Sequence, residues 1–361
     1  MSASNQKKIV RNKVLVTGAS GLLGVAAIEK FLSAGWEVVG VSRRKPELPS
    51  GRDVDFLSVD LRDEERARAA FEPLTDITHI AYTALHEKPE LVAGWSSKAQ
   101  IETNNAMLRN VVGPIVRTAS NFQHISILQG TKIYGVHLHP IPIPARERDA
   151  RRDHQNFFFD QEAYVREMGP QHGFNYTALR PQLVTGPTPG ALNVVPAIGV
   201  YAAIRREKGE PFGFPGGPSF VWEAADADLV ADVMVWAAQS PQAANEAFNI
   251  TNGDYFRWHH LWPRIAEALD ARAADPQPLN LTRFMADKAP LWDAMVRKHA
   301  LKPYRFDEVV AWPFGDYVFN CNWDVMSNVT KSRLHGFQDV VDSEEMFVRL
   351  LQRFRNEKIV P

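Results

Sequence analysis

The stretch Lys13-Val14-Leu15-Val16-Thr17-Gly18-Ala19-Ser20-Gly21-Leu22-Leu23-Gly24 runs from an apolar β-strand into a helix through three glycines spaced three apart. Glycine is needed first for a tight turn, second so that backbone amides can approach a pyrophosphate, and third so that helix and strand pack closely. The helix opening near Gly21 turns the positive end of its dipole toward such phosphates. Strand before and helix after is the context that makes the pattern a dinucleotide site rather than an incidental turn. Thr17, Gly18, Ser20, Gly21, Leu22, Leu23 and Gly24 are its candidate residues.

The following strand, predicted over residues 36–42, ends at Ser42-Arg43-Arg44. NAD sites place an acid there for the ribose 2′-hydroxyl, whereas paired guanidinium groups suit a 2′-phosphate. NADP(H) is therefore the expected cofactor, against the plainer reading of a solvated basic turn that Lys45 extends. A third strand, predicted over residues 56–61, ends at Asp60 and Leu61. Asp60 is placed either to face the adenine or to cap the helix that begins near Arg62.

Composition bounds the class. The chain has 361 residues, a formal net charge of -1 and a single cysteine, Cys321. Near-neutral charge gives no strong field for nucleic acid or an anionic membrane. One cysteine excludes an internal disulfide and fits a reducing compartment. No apolar run approaches the ~18 residues of a membrane helix, and residues 1–6 lack the apolar segment of a signal peptide. A cytoplasmic location is expected.

Further strands are predicted over 78–82, 122–128 and 176–180, separated by helical stretches that include 64–71 and 101–120. Strands alternating with helices imply a parallel sheet covered on both faces, with its ligand site at the carboxyl ends of the strands. The expected fold is α/β, a doubly wound Rossmann sheet with a smaller, discontinuous C-terminal substrate lobe. Residues 1–190 form the nucleotide-binding part, whose sheet also receives about 215–255. Residues 191–214 and 256–361 form the lobe, where Pro, Trp and Phe crowd longer loops.

Two segments then carry a more specific signal: Gln129-Gly130-Thr131-Lys132-Ile133-Tyr134-Gly135 and Asn156-Phe157-Phe158-Phe159-Asp160-Gln161-Glu162. Together with Tyr82-Thr83-Ala84, Asn104-Asn105-Ala106-Met107, Arg180-Pro181, Phe212-Gly213-Phe214-Pro215-Gly216 and Ala225-Asp226-Ala227-Asp228, they make the chain resemble the atypical extended short-chain dehydrogenase/reductases of the progesterone 5β-reductase and iridoid synthase group. The resemblance implies reduction by NADPH of a carbon–carbon double bond next to a carbonyl, and sometimes of the carbonyl itself. It implies that Tyr82, Thr83 and Ala84 flank the cofactor ribose, with Gln129 and Val184 in the same groove. Lys132 matches the lysine that binds the nicotinamide ribose, and Tyr134, Phe158, Phe159 and Phe214 would line the substrate pocket.

The resemblance breaks at one position. Relatives carry a tyrosine where this chain has Phe158, and a phenyl ring keeps the shape while losing the proton-donating atom. General acid catalysis contributes about two to four orders of magnitude. Three readings stand: a substituted chain, an enzyme with another donor, or a protein that binds NADPH without turnover, as a sensor or scaffold. Conjugate hydride addition gives a delocalised enolate that tolerates later protonation, so Phe158 favours enone reduction over carbonyl reduction. Tyr134, Tyr82 and Thr83 are the substitute donors within the motif. A metal is not expected, because His137, His139, His154 and the pair His259-His260 lack ligand-like company. The loop Arg146-Glu147-Arg148-Asp149 with Arg151-Arg152 reads as solvated surface. The expected partner is a small apolar carbonyl compound, with no nucleic acid or membrane, and a homodimer as in relatives.

Overall fold

The computed structural model describes residues 12–88, 91–150, 153–190 and 192–361. The readings of residues 1–6 and of Arg151-Arg152 fall outside them. Seven strands, β1 (Lys13–Thr17), β2 (Glu37–Ser42), β3 (Asp55–Ser58), β4 (His79–Tyr82), β5 (His124–Leu128), β6 (Asn175–Pro181) and β7 (Glu246–Ile250), form one sheet in the order β7-β6-β5-β4-β1-β2-β3. Every pairing is parallel. The order reverses between β1 and β4, which opens a crevice at the carboxyl ends of these two strands. The α/β doubly wound expectation is met. The third strand ends at Ser58, earlier than the sequence pattern implied, so Asp60 and Leu61 lie in the turn that follows.

Helices α1 (Leu22–Ser33) and α2 (Glu64–Phe71) follow β1 and β3, and the short α3 (Leu91–Gly94) leads into α4 (Lys98–Thr118). Asp63, not Asp60, caps α2 by accepting from Arg66 N at 3.1 Å. Side chains alternate across the strands, as period two requires. Leu15, Val39, Val41, Ile80 and Tyr82 enter the core under α2 and α4. Val14, Val16, Val38 and Ala81 enter the opposite core, against α1. This parity governs Tyr82: sharing the face of Ile80, its ring is buried in the core, and its phenol has no hydrogen-bond partner among the described residues.

After β5 the chain forms α5 (Phe157–His172), α6 (Val194–Glu207), α7 (Ala227–Gln239) and α8 (Trp258–Ala268). The carboxyl-terminal part adds α9 (Leu281–Phe284), α10 (Ala289–His299), α11 (Phe306–Val309), α12 (Trp312–Phe319), α13 (Thr330–Leu334) and α14 (Ser343–Asn356). A separate apolar core joins these helices. On α14, Phe347, Leu350, Leu351 and Phe354 recur at helical spacing and are fully buried. Each contributes about 1.5–3 kcal/mol of apolar burial. Phe214 belongs to this core, its ring enclosed by Trp258, Trp262 and Phe319 at centroid distances of 6.4, 5.2 and 5.7 Å.

A buried acid ties the segment before α13 to the core. Glu223 accepts from Ser327 N at 2.8 Å and from Ser327 Oγ at 2.6 Å, and burial pushes its carboxyl up to about 7. Between its ordinary value of 4.5 and about 7 the folded chain keeps a proton that the unfolded chain has released, so stability falls as pH rises through this window. Glu223→Gln keeps the Ser327 N bond on its amide oxygen, reverses the other so that its amide nitrogen donates to Ser327 Oγ, and removes the titration. Denaturant unfolding at several pH values is expected to show the wild type losing ground to the variant by up to about tenfold in equilibrium constant per pH unit. Parallel pH dependences would contradict this.

Candidate active site

A cavity of about 620 Å³ opens at the switch point and runs from the glycine loop to the carboxyl-terminal helices. Its first wall is the loop itself. Gly18 has φ +70°, and a Cβ there would meet Thr83 Oγ1 at 2.9 Å and the Ala84 backbone at 3.0 Å. A Cβ on Gly24 would come within 2.1 Å of Gly18 O. The loop is thus a cradle whose shape only glycines permit. Gly21 caps α1 without a side-chain hydrogen bond, so no capping side chain occupies the positive end of that helix. This is the geometry that holds a pyrophosphate, and the residues present fit a dinucleotide.

Gly18, Ser20, Gly21, Leu22, Leu23 and Gly24 line the cavity, as do Ser42, Arg43, Arg44, Asp60, Leu61, Thr83, Ala84, Gln129 and Val184. Thr17 lies just behind, with its carbonyl accepting from Thr83 Oγ1 at 2.5 Å and its side chain buried. The arginine turn is pinned by its neighbours: Ser42 Oγ donates to Arg44 O at 2.5 Å and Ser58 Oγ to Arg43 O at 3.3 Å. Lys45 turns away to pair with Asp53 at 2.9 Å. Asp60 is held by Arg62, whose guanidinium hydrogen-bonds its carboxyl and keeps it down at about 2. Arg62 also lines the cavity, a role the sequence reading passed over although it stands two residues from Asp60.

The far end contains Lys132, Phe158, Trp95, Glu87, Trp222 and the α12 residues Phe314, Tyr317 and Val318. Phe158 sits at the start of α5, where Asn156 Oδ1 accepts from its amide at 3.0 Å. Gln129 Nε2 donates to its carbonyl at 3.1 Å, so its backbone is fixed from two sides. The tip of its ring lies over Gly130, where a Cβ would be 3.8 Å from Cε2 and 4.0 Å from Cζ. Lys132 rests on the Trp95 ring with Nζ 3.8 Å from the centroid. Burial lowers its ammonium to about 8, opposed by the negative charge of Glu87.

Four residues expected at the ligand stand elsewhere. Tyr82 is buried beneath the sheet, for the parity reason given. Tyr134 bonds Asn249 Oδ1 at 2.5 Å and receives Arg180 Nη1 at 3.3 Å, so its phenol serves a buried network and is not a substitute donor. Arg180 continues that network to Gln129 at 2.8 Å and Glu162 at 2.9 Å. Phe159 turns to the His154 ring, 5.5 Å away. Phe214 is enclosed in the lobe core. Glu147, expected on solvated surface, instead accepts from Asn249 N at 2.9 Å and gives its carbonyl to Arg180 at 2.9 Å. His154 acquires a role: Nε2 lies 2.9 Å from Lys132 O and fixes the lysine turn. Among the described residues, no group of three His, Cys, Asp or Glu side chains is arranged to hold a metal. No described helix is long and apolar enough to cross a membrane.

A glycine cradle at the switch point of a doubly wound sheet, continuous with a lysine-bearing pocket, fits a dinucleotide-binding enzyme, and its relatives make it an oxidoreductase of the extended short-chain dehydrogenase/reductase class. Within it the chain belongs to the PRISE-like Rossmann-fold domain family, whose model matches residues 54–361. It is 30% identical to (S)-8-oxocitronellyl enol synthase of Antirrhinum majus, over 99% of this chain and 97% of that protein. It is 32% identical to the 3-oxo-Δ(4,5)-steroid 5β-reductase of Arabidopsis thaliana, over 96% and 92% respectively. Among solved structures it resembles the UDP-glucose 4-epimerase of Thermotoga maritima, with a TM-score of 0.68 at 19% identity over 95% and 99% of the two chains.

Proposed function

We propose that this chain is an NADPH-dependent reductase of α,β-unsaturated carbonyl compounds. The observation that carries the reading is the single cavity that joins the arginine turn and glycine cradle to an apolar end holding Lys132, Phe158, Trp222 and Phe314. The kinship with an enol synthase and a steroid 5β-reductase supports it. For the phosphorylated cofactor, the support is that Arg43 and Arg44 are exposed and line the cavity. The acid nearby, Asp60, is already engaged by Arg62.

Bound in this groove, the nicotinamide supplies hydride to an electrophilic carbon. The chain's own residues do the rest. The cradle and the amino end of α1 hold the pyrophosphate, Arg43 and Arg44 the 2′-phosphate, and Lys132 the nicotinamide ribose. The aromatic end receives a small apolar carbonyl compound and excludes water. The Lys132 charge stabilises negative charge that gathers on the substrate oxygen. Incubation with NADPH and a panel of enones and ketones, followed by product identification, tests the reading. Saturated carbonyl products are expected; secondary alcohols alone would make it a carbonyl reductase, and no NADPH oxidation would make it a binding protein.

A further inference from the structure

The substrate end of the cavity holds an acid for which the family resemblance gives no role. Glu87 is carried there by a loop that two buried amides secure. Asn104 accepts from His86 N through Oδ1 and donates to His86 O through Nδ2, each at 2.9 Å. Gln100 accepts from Lys88 N at 3.0 Å and donates to Glu87 Oε2 at 2.7 Å. Gly94 leaves the room Gln100 takes, since a Cβ there would come within 2.7 Å of its Oε1. Backbone on both sides of Glu87 is therefore fixed, and its other oxygen, Oε1, is buried beside the Trp95 indole with no well-formed hydrogen bond among the described residues. A buried acceptor left in this way is costly unless a proton or a cation compensates it. The cation in the same end is Lys132, stacked on Trp95, beside a phenyl ring at position 158 that offers no proton.

We propose that Lys132 delivers the proton that completes the reduction in this chain, and that Glu87 is the positioning residue that keeps the amine charged for it. The proposal rests on the enone reductase reading. As hydride from the reduced nicotinamide forms a new C–H bond at the β-carbon, the π pair moves to the α-carbon and carbonyl oxygen. A Lys132 N–H bond then breaks while the α-carbon gains the proton, and the neutral amine recovers a proton from water. With its ordinary value near 10.5 brought down to about 8, the amine is charged at neutral pH yet releases a proton far more readily than an exposed lysine. Burial also raises Glu87, and the Lys132 charge opposes that rise.

The other groups around Lys132 do not replace this partner. His137, on the same turn, is held down at about 3 by burial and by Lys132. His154 contacts the Lys132 carbonyl, with Asp153 at 3.1 Å on its far nitrogen, and His139 stands 4.0 Å from that acid. Tyr317, on α12, has its phenol raised by burial.

Competitive acetylation of the cofactor-free chain across pH, read at Lys132 by mass spectrometry, tests the pairing without turnover. A midpoint near 8 is expected in the wild type, and a midpoint about one pH unit lower in Glu87→Gln. With NADPH and a responsive enone, the alkaline limb of kcat is expected to move down by the same amount in Glu87→Gln. Lys132→Arg keeps the charge but cannot release a proton, so kcat is expected to fall at least ~10-fold while NADPH affinity changes less than about threefold. Adding Phe158→Tyr to Lys132→Arg is expected to recover turnover through the phenol. Wild-type kcat in Lys132→Arg, or no recovery with Phe158→Tyr, would overturn the proton assignment. A Lys132 midpoint unmoved by Glu87→Gln would overturn the pairing alone. A wild type that reduces no enone would instead sink the functional reading, and the proton's destination with it.

Discussion

Phe158→Tyr is expected to raise kcat for enone reduction at least ~10-fold, the lower range of what a positioned general acid contributes. The backbone at this position is clamped by Asn156 and Gln129, so the added hydroxyl extends from a ring tip that already overlies Gly130 in the cavity. There it donates to the substrate oxygen, with the Lys132 charge favouring its ionised form. The gain is expected to be larger for a ketone than for an enone, because a localised alkoxide needs its proton at once and an enolate does not. Steady-state kinetics of both variants with matched enone and ketone substrates measure this. An unchanged or lower rate would mean that the oxyanion lies away from position 158.

Replacing Arg43 and Arg44 together by alanine is expected to weaken NADPH binding by about 100-fold or more and NADH binding by less than about threefold. Each hydrogen bond to a charged group is worth about 1.5–3 kcal/mol, and the 2′-phosphate is the feature that separates the two cofactors. Both arginines are exposed, so the NADPH preference of the wild type is also expected to shrink as ionic strength rises. Binding titrations at low and high salt check both statements. Equal losses for the two cofactors would refute the 2′-phosphate assignment.

What the sequence made legible was local. The glycine loop, the arginine turn and the lysine turn are each read within a few consecutive residues, and residues of all three line the cavity. Tyr82 was misplaced because a strand alternates faces, and a motif read as a string carries no parity. Tyr134 stands beside Lys132 in sequence, yet its phenol is satisfied by Asn249, which only the alignment of β6 and β7 brings near. Phe214 was one of many aromatics in the second half, and nothing local separates a core ring from a pocket ring. Trp95, Phe314 and Tyr317 reach the cavity for the converse reason, from segments that the sheet does not order. Glu87 carried a faint signal, an acid shortly past the end of β4. Its inward turn depends on Gln100 and Asn104 across the loop.

Every role proposed for these residues depends on the crevice between β1 and β4 clasping a phosphorylated nicotinamide carrier. Calorimetric titration of the wild-type chain with NADPH and with NADH measures it directly. One saturable site per chain is expected for NADPH, at about micromolar to sub-millimolar concentration, with at least ~10-fold weaker binding of NADH. Failure of NADPH to bind, or equal affinity for the two cofactors, would contradict it.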